Sequence, residues 1–129
     1  MVIVDTSIII DQLRRPKGTE TDLIRFIKAG SDKDLAISMI TIQELFQGQS
    51  TKDQVRLQNM LAIISPLRIL PYTYEIAQAA GEIIRDAKEP IQFADAAIAA
   101  TAIDNNCQLF TFNKKDFAEI EALTLVELE

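Results

Sequence analysis

Four acidic residues of this 129-residue chain have the types and spacing needed to act together on a metal ion and a phosphate. They are Asp5, Glu44, Asp95 and Asp116. In chain order, they follow the first predicted strand, lie just after the second, open the helix before the fourth, and follow the fourth. Because ligands bind at the carboxyl edge of open α/β sheets, we expect the four side chains to converge at that edge.

Carboxylates that converge in this way require a cation. Two unit charges about 4 Å apart repel by about 4 kcal/mol at an effective dielectric constant of about 20, so several such pairs cannot all stay ionised alone. A ligand set made of oxygens, without histidine or cysteine, selects hard ions, which favours Mg²⁺ or Mn²⁺ over Zn²⁺. Two such ions would balance four carboxylates, an arrangement suited to metal-assisted hydrolysis of a phosphodiester.

Three of the acids also have a simple structural interpretation. Asp5 stands where it could cap the helix that follows the first strand. Thr41 and Glu44 have the spacing of a capping box, in which Glu44 would only satisfy a backbone donor. Asp116 could cap a short last helix. Taken singly, these residues leave both interpretations open.

Asp95 is the acid that a structural role explains least well. Its neighbours over residues 93–100 are all apolar or alanine. Its interaction with the helix dipole would contribute about 0.3–1 kcal/mol, whereas an unpaired buried carboxylate costs several times more. The sequence has no lysine or arginine between Lys88 and Lys114, so the partner of Asp95 must be a distant segment or an ion.

The composition excludes several other classes of site. The chain has no histidine, which rules out Ser-His-Asp and Cys-His triads, His-ligated zinc and histidine bases. Cys107 is the only cysteine and is predicted to be a buried thiol at the head of an apolar strand. The net charge of −6 argues against bulk electrostatic attraction to nucleic acid, but not against a metal site that handles it. Without a predicted membrane span or leader, we expect a cytoplasmic protein.

Alternating strands and helices are the elements that must position the acids. Strands are predicted at residues 2–4, 35–38, 67–70, 108–112 and 123–128, and helices at residues 5–14, 21–29, 41–47, 52–65, 74–88 and 93–105. This alternation indicates an α/β fold, a single α/β/α sandwich with a central, mainly parallel five-stranded sheet. Residues 1–129 show no repeat or linker and are predicted to form one domain.

Four segments carry a resemblance to a known family. They are VDTSIIID, SMITIQELFQG, FADAAIAATA and LFTFNKKDF, in this order from the N terminus to near the C terminus. Together they resemble the PIN-domain ribonucleases, and among these the VapC-type toxins of bacterial and archaeal toxin–antitoxin pairs. No one segment is very specific, but four in the right order are, and the resemblance implies a PIN domain over residues 1–129.

The resemblance also implies roles for the residues that match the family's pattern. Asp5, Glu44, Asp95 and Asp116 match an acidic quartet that binds Mg²⁺ or Mn²⁺, with Asp5 and Asp95 as central ligands. Ser7, Thr111 and Asn113 match polar positions that line or brace the pocket, and Thr111 is expected to hold Asp5. The implied activity is endoribonuclease cleavage, and the implied partners are an RNA substrate, a small inhibitory antitoxin and a second copy of the chain.

Five basic residues near the predicted site are candidate RNA contacts. They are Arg14, Arg15, Lys17, Lys114 and Lys115. The first three follow the first helix, and the two lysines precede Asp116. An ordinary solvated surface charge remains the alternative for each of them.

Other classes of protein with acids at strand ends match less well. A response-regulator receiver needs an aspartate at the end of strand three and a lysine after strand five, and the chain has neither. A haloacid-dehalogenase phosphatase needs Asp-x-Asp after strand one, but position 7 is Ser7. Phosphate-binding loops of the P-loop and GxGxxG types are also missing from the sequence. A catalytically idle PIN-fold binding module remains the main alternative.

Overall fold

A computed structural model describes residues 1–29 and 34–127 of the chain. Its elements follow the alternating order that the sequence predicts. They are β1 (Val2–Val4), α1 (Thr6–Arg14), α2 (Asp22–Lys28), β2 (Leu35–Ser38), α3 (Met39–Gln47), α4 (Gln54–Ile64), β3 (Arg68–Leu70), α5 (Tyr74–Asp86), α6 (Phe93–Asp104), β4 (Gln108–Phe110) and α7 (Lys114–Phe117). A 3₁₀ turn over Gln49–Lys52, which the sequence did not predict, joins α3 to α4.

The described strands form one parallel sheet with the order β3-β2-β1-β4. β1 pairs with β2 on one side and with β4 on the other, and β2 pairs with β3. Because all pairs are parallel, the carboxyl ends of the strands lie at one edge, called the carboxyl edge below. The connection reverses direction beside β1, and this switch point is where ligands bind in open α/β sheets.

The fifth strand is where the sequence prediction and the structure differ. Leu125 forms a single parallel bridge with Leu109, supported by two backbone hydrogen bonds of 2.9 Å. Pairing at one ladder position does not make a strand, so the described part of the sheet has four strands. Leu128, the last residue of the predicted strand, lies outside the described residues.

Both faces of the sheet are covered, because successive side chains along a strand point to opposite faces. Val2 and Val4 of β1 belong to a core with side chains from α1, α2 and α4. Ile3 belongs to a second core with side chains from α6 and α7, which also contains Cys107. The predicted α/β/α sandwich and the buried thiol are therefore confirmed. Among the described residues, no helix is long and apolar enough to cross a lipid bilayer.

Candidate active site

Asp5 lies at the carboxyl end of β1, and hydroxyl groups hold its side chain. The side chain is only 3% exposed. Ser7 Oγ donates to Asp5 Oδ2 at 2.8 Å, and Thr111 Oγ1 donates to the same oxygen at 2.7 Å. Although Asp5 occupies the N-cap position of α1, its side chain makes no capping hydrogen bond. The interpretation of Asp5 as a helix cap is therefore wrong.

The two hydroxyls that hold Asp5 are themselves fixed by the chain that leaves β4. Thr111 Oγ1 accepts the backbone N–H of Asn113 at 2.9 Å, and Ser7 Oγ accepts the backbone N–H of Phe112 at 3.4 Å. Both described side-chain hydrogen bonds to Asp5 fall on Oδ2. Oδ1 carries neither of these two bonds.

Glu44 does not take part in a capping box. The N-cap of α3 is Ser38, whose hydroxyl accepts the backbone N–H of Ile40, so Thr41 lies inside the helix. Since a capping box requires the N-cap residue three positions before the glutamate, Thr41 and Glu44 cannot form one. The capping interpretation of Glu44 is wrong.

The carboxylate of Glu44 instead bonds to the segment that carries Asp5. Thr6 Oγ1 donates to Glu44 Oε1 at 2.6 Å, and Thr6 Oγ1 also lies 3.0 Å from Thr41 Oγ1. Because Thr6 is the residue directly after Asp5, this contact holds α3 against the end of β1. The sequence singles out Thr41 only as a helix cap and does not single out Thr6; the available signal is their position near Asp5 and Glu44 within the two motifs.

Asp95 lies in the first turn of α6, a helix whose next seven residues are all buried. Partial burial, and after it the negative charges of Asp5, Asp116 and Glu44, together raise the pKa of Asp95 from its usual 3.8 to about 6. The three other acids therefore act on Asp95 through their charges. The fold therefore places Asp5, Glu44 and Asp116, which lie far apart in the sequence, near enough to Asp95 for their charges to act on it.

Asp116 is the most exposed of the four acids. It lies in the first turn of α7, whose N-cap position is occupied by Asn113 without a side-chain capping bond. The prediction that Asp116 caps this helix is therefore wrong. The side chains of both residues are exposed and face solvent at the end of β4.

The four acids have no cationic partner among residues 1–29 and 34–127. All six ion pairs found there involve other carboxylates. Within the same residues, no group of three or more acidic or cysteine side chains is arranged so that it could hold a metal ion. Mg²⁺ retains several waters and usually takes only one or two carboxylates from a protein, so an open cluster of this kind suits it.

The five basic residues predicted to contact RNA are all exposed. Arg15 pairs with Asp11 at 3.1 Å, and Lys114 pairs with Glu127 at 3.4 Å. Arg14 differs from these two, because it borders a cleft that Glu44 also lines. Lys17 and Lys115 have no carboxylate within ion-pair distance among the described residues.

Comparisons with known proteins identify the family. The model of the PIN domain matches residues 2–123, and the chain belongs to this family. It is 37% identical over 136 residues to the protein named Ribonuclease VapC of Rickettsia bellii, covering 96% of each chain. It is 32% identical over 126 residues to Ribonuclease VapC10 of Mycobacterium tuberculosis, covering 95% of this chain and 90% of that protein.

A solved structure with the same fold is that of VapBC2 from Rickettsia felis, bound to a DNA fragment from the promoter of the pair. It matches with a TM-score of 0.80 and 26% identity, and the match covers 100% of both chains. The resemblance to VapC-type PIN domains that the sequence indicated is confirmed. Membership of this family excludes the receiver-like alternative.

Proposed function

We propose that this protein is an endoribonuclease that depends on Mg²⁺ or Mn²⁺ and acts as the toxin of a toxin–antitoxin pair. The observation that supports this most is the environment of Asp95, where partial burial and then the charges of the three other acids raise its pKa to about 6. In the ion-free protein the repulsion among these charges is unfavourable, and a bound divalent cation would relieve it. The names of the curated relatives support ribonuclease activity.

The donor set suits a hard divalent cation. All four acids supply oxygen, and the hydroxyls of Ser7 and Thr111 orient one of them. Asp5 and Asp95 would hold the ion directly, and Glu44 and the exposed Asp116 would complete the site, partly through water. When bound, the ion supplies a water of lowered pKa and neutralises the charge that develops on the leaving oxygen.

The residues of the chain fix the geometry in which this chemistry takes place. Asp5 is buried and held at Oδ2, so its other carboxylate oxygen keeps one direction relative to the sheet. Thr6 holds Glu44 beside it. A phosphodiester is itself anionic and is repelled by the carboxylates, so a bound cation would favour the entry of the reacting phosphate into the site.

Cleavage of RNA by the purified protein tests the proposal. Total RNA incubated with Mg²⁺ should be cleaved, and EDTA should stop the reaction. Asp5→Asn and Asp95→Asn should each lower the rate by at least roughly 100-fold, since even the outer partners of metal ligands are worth about 10–100-fold. The matched control is Asp104→Asn, at the exposed far end of the same helix as Asp95, which should cleave like wild type.

Equal activity of wild type and Asp95→Asn would contradict the proposed mechanism. RNA binding without cleavage at any concentration of Mg²⁺ or Mn²⁺ would instead favour an idle binding module. Expression in a host without a cognate antitoxin should slow growth, and Asp95→Asn should relieve the effect. Toxicity that persists in that variant would separate the toxic effect from the metal site.

Two partners belong to the same proposal. Similarity to VapBC complexes supports a small antitoxin that binds this chain. A second copy of the chain is supported by exposed apolar side chains on three helices, namely Met39 on α3, Tyr74 on α5 and Phe93 on α6. Light scattering of the purified protein should give twice the chain mass of 14.4 kDa, and a monomer at all concentrations would refute the homodimer.

A further inference from the structure

A cleft of about 560 Å³ adjoins the acidic site and has a different character from it. Side chains from α1, α3, the 3₁₀ turn and α4 line this cleft. We call it the arginine cleft and define it by Arg14, Glu44, Leu45, Arg56, Asn59 and Met60. Glu44 belongs both to this cleft and to the acidic cluster, so the two are continuous.

The arginine cleft has an apolar floor and a polar rim. Leu45 and Met60 are buried at 6% and 3% exposure and belong to the core beneath the sheet. Arg14, Arg56 and Asn59 are exposed around them. A nucleotide has the same division, because its base and ribose offer apolar faces while its phosphate is anionic.

The two arginines of the cleft stand apart from the rest of the chain. The sequence has six arginines, and four of them form ion pairs with nearby carboxylates. Among the described residues, Arg14 and Arg56 have no such pair. Both unpaired guanidinium groups therefore border one cleft, where each is free to bind an external anion, and arginine is well suited to phosphate.

We propose that the arginine cleft binds the backbone of single-stranded RNA beside the cleaved phosphodiester, with Arg14 and Arg56 each holding one phosphate. This inference rests on the proposed ribonuclease function and adds Arg56 and Asn59, on α4, to the surface that holds the substrate. RNA suits the cleft better than a basic peptide segment, since two unpaired guanidinium groups repel lysine and arginine. The Glu44 end leads to the cation site, so RNA held here extends directly into it.

Binding of RNA without cleavage tests this proposal. The probe is a short fluorescein-labelled single-stranded RNA of randomised sequence, and the protein is the full chain with Asp95→Asn, in EDTA. Adding Arg14→Ala or Arg56→Ala should weaken the affinity measured by anisotropy by roughly five- to tenfold. Each should also reduce the slope of log affinity against log salt by about 0.7, the value for one phosphate contact on a single strand.

Arg85→Ala is the matched control because it removes the same charge from an exposed arginine that already pairs with Asp86. Arg85 lies in the last turn of α5, a helix that begins just after β3 and leads away from the carboxyl edge. The affinity of the Arg85→Ala variant for RNA should stay within about twofold of that of the Asp95→Asn parent. Arg56→Lys should keep the salt slope but only part of the affinity, because lysine lacks the planar fork.

Several outcomes would overturn the inference. Equal losses of RNA affinity in Arg56→Ala and Arg85→Ala would show a general effect of charge. Unchanged RNA affinity in both Arg14→Ala and Arg56→Ala would show that the arginine cleft does not bind RNA. Displacement of the RNA by poly-glutamate with equal affinity would assign the cleft to an acidic protein partner. If wild type with Mg²⁺ cleaves RNA and Arg56→Ala has the same kcat/KM, the cleft proposal fails while the ribonuclease proposal stands. If the cleft variants lose RNA binding but wild type never cleaves RNA, the ribonuclease proposal fails while RNA binding by the cleft stands.

Discussion

Replacing Asp95 by asparagine should stabilise the protein when no divalent ion is present. The folded state raises the pKa of Asp95 from 3.8 to about 6. Between these values the folded state binds more protons than the unfolded state, so the free energy of unfolding falls as pH rises through this window. Above about pH 6 the wild type carries the full cost of the charged group, and asparagine does not.

The size of this effect follows from the shift in pKa. A change from 3.8 to about 6 corresponds to about 3 kcal/mol if it is carried over fully. Asp95 is only partly buried, and solvent screening reduces this value, so we expect about 1 to 2 kcal/mol at about pH 7.5. Near pH 4 the carboxyl is neutral in the folded state and only about half ionised in the unfolded state, so most of the advantage of asparagine should vanish.

Urea unfolding followed by circular dichroism, in EDTA at both pH values, measures this difference. Asp104→Asn controls for the substitution itself, since Asp104 is an exposed aspartate in the same helix. Adding Mg²⁺ should make the wild type the more stable protein, because the ion binds and stabilises its folded state. The variant lacks one of the ligands and should gain less. The reasoning is refuted if Asp95→Asn is no more stable than wild type at about pH 7.5, or if Asp104→Asn gains as much.

Further predictions concern ion binding. Affinity for Mg²⁺, measured by calorimetry, should fall by up to about tenfold per pH unit below about pH 6, because protons compete for Asp95, and a flat profile would contradict this. Thr111→Val removes the 2.7 Å hydrogen bond to Asp5 and should weaken Mg²⁺ binding by roughly tenfold or more. Thr6→Val should also weaken Mg²⁺ binding, because it removes the hydrogen bond to Glu44. Thr124→Val, at an exposed threonine, should leave the affinity unchanged. Equal Mg²⁺ affinities in all three variants would show that the two hydroxyls do not support the site.

Much of the fold could be predicted because its signals are local. The β-branched run Val2–Val4 and the polar residues after it are enough to place a buried strand and its end. The fifth strand was predicted because residues 123–128 have the composition of a strand, but composition does not show whether a segment pairs with a neighbour along its whole length. Whether such a segment pairs along its length depends on the neighbouring strand, and here Leu125 meets β4 at a single position.

The candidate site divides in the same way. Asp95 could be singled out because its neighbours are apolar, and burying an unpaired carboxylate among them costs free energy whichever element the helix packs against. The capping interpretation of Glu44 failed because the N-cap of α3 is Ser38, three residues before Thr41. Arg56 could not be linked to the site at all, since its exposure and its lack of an ion pair are properties of the folded chain.

The most direct test of the central claim is to measure Mn²⁺ binding by electron paramagnetic resonance in the wild type and in single variants of the four acids. We predict that Asp5→Asn and Asp95→Asn each lose at least roughly tenfold in affinity, that Glu44→Gln and Asp116→Asn lose less, and that Asp104→Asn binds like wild type. Equal binding in the wild type, Asp5→Asn and Asp95→Asn would contradict a shared cation site.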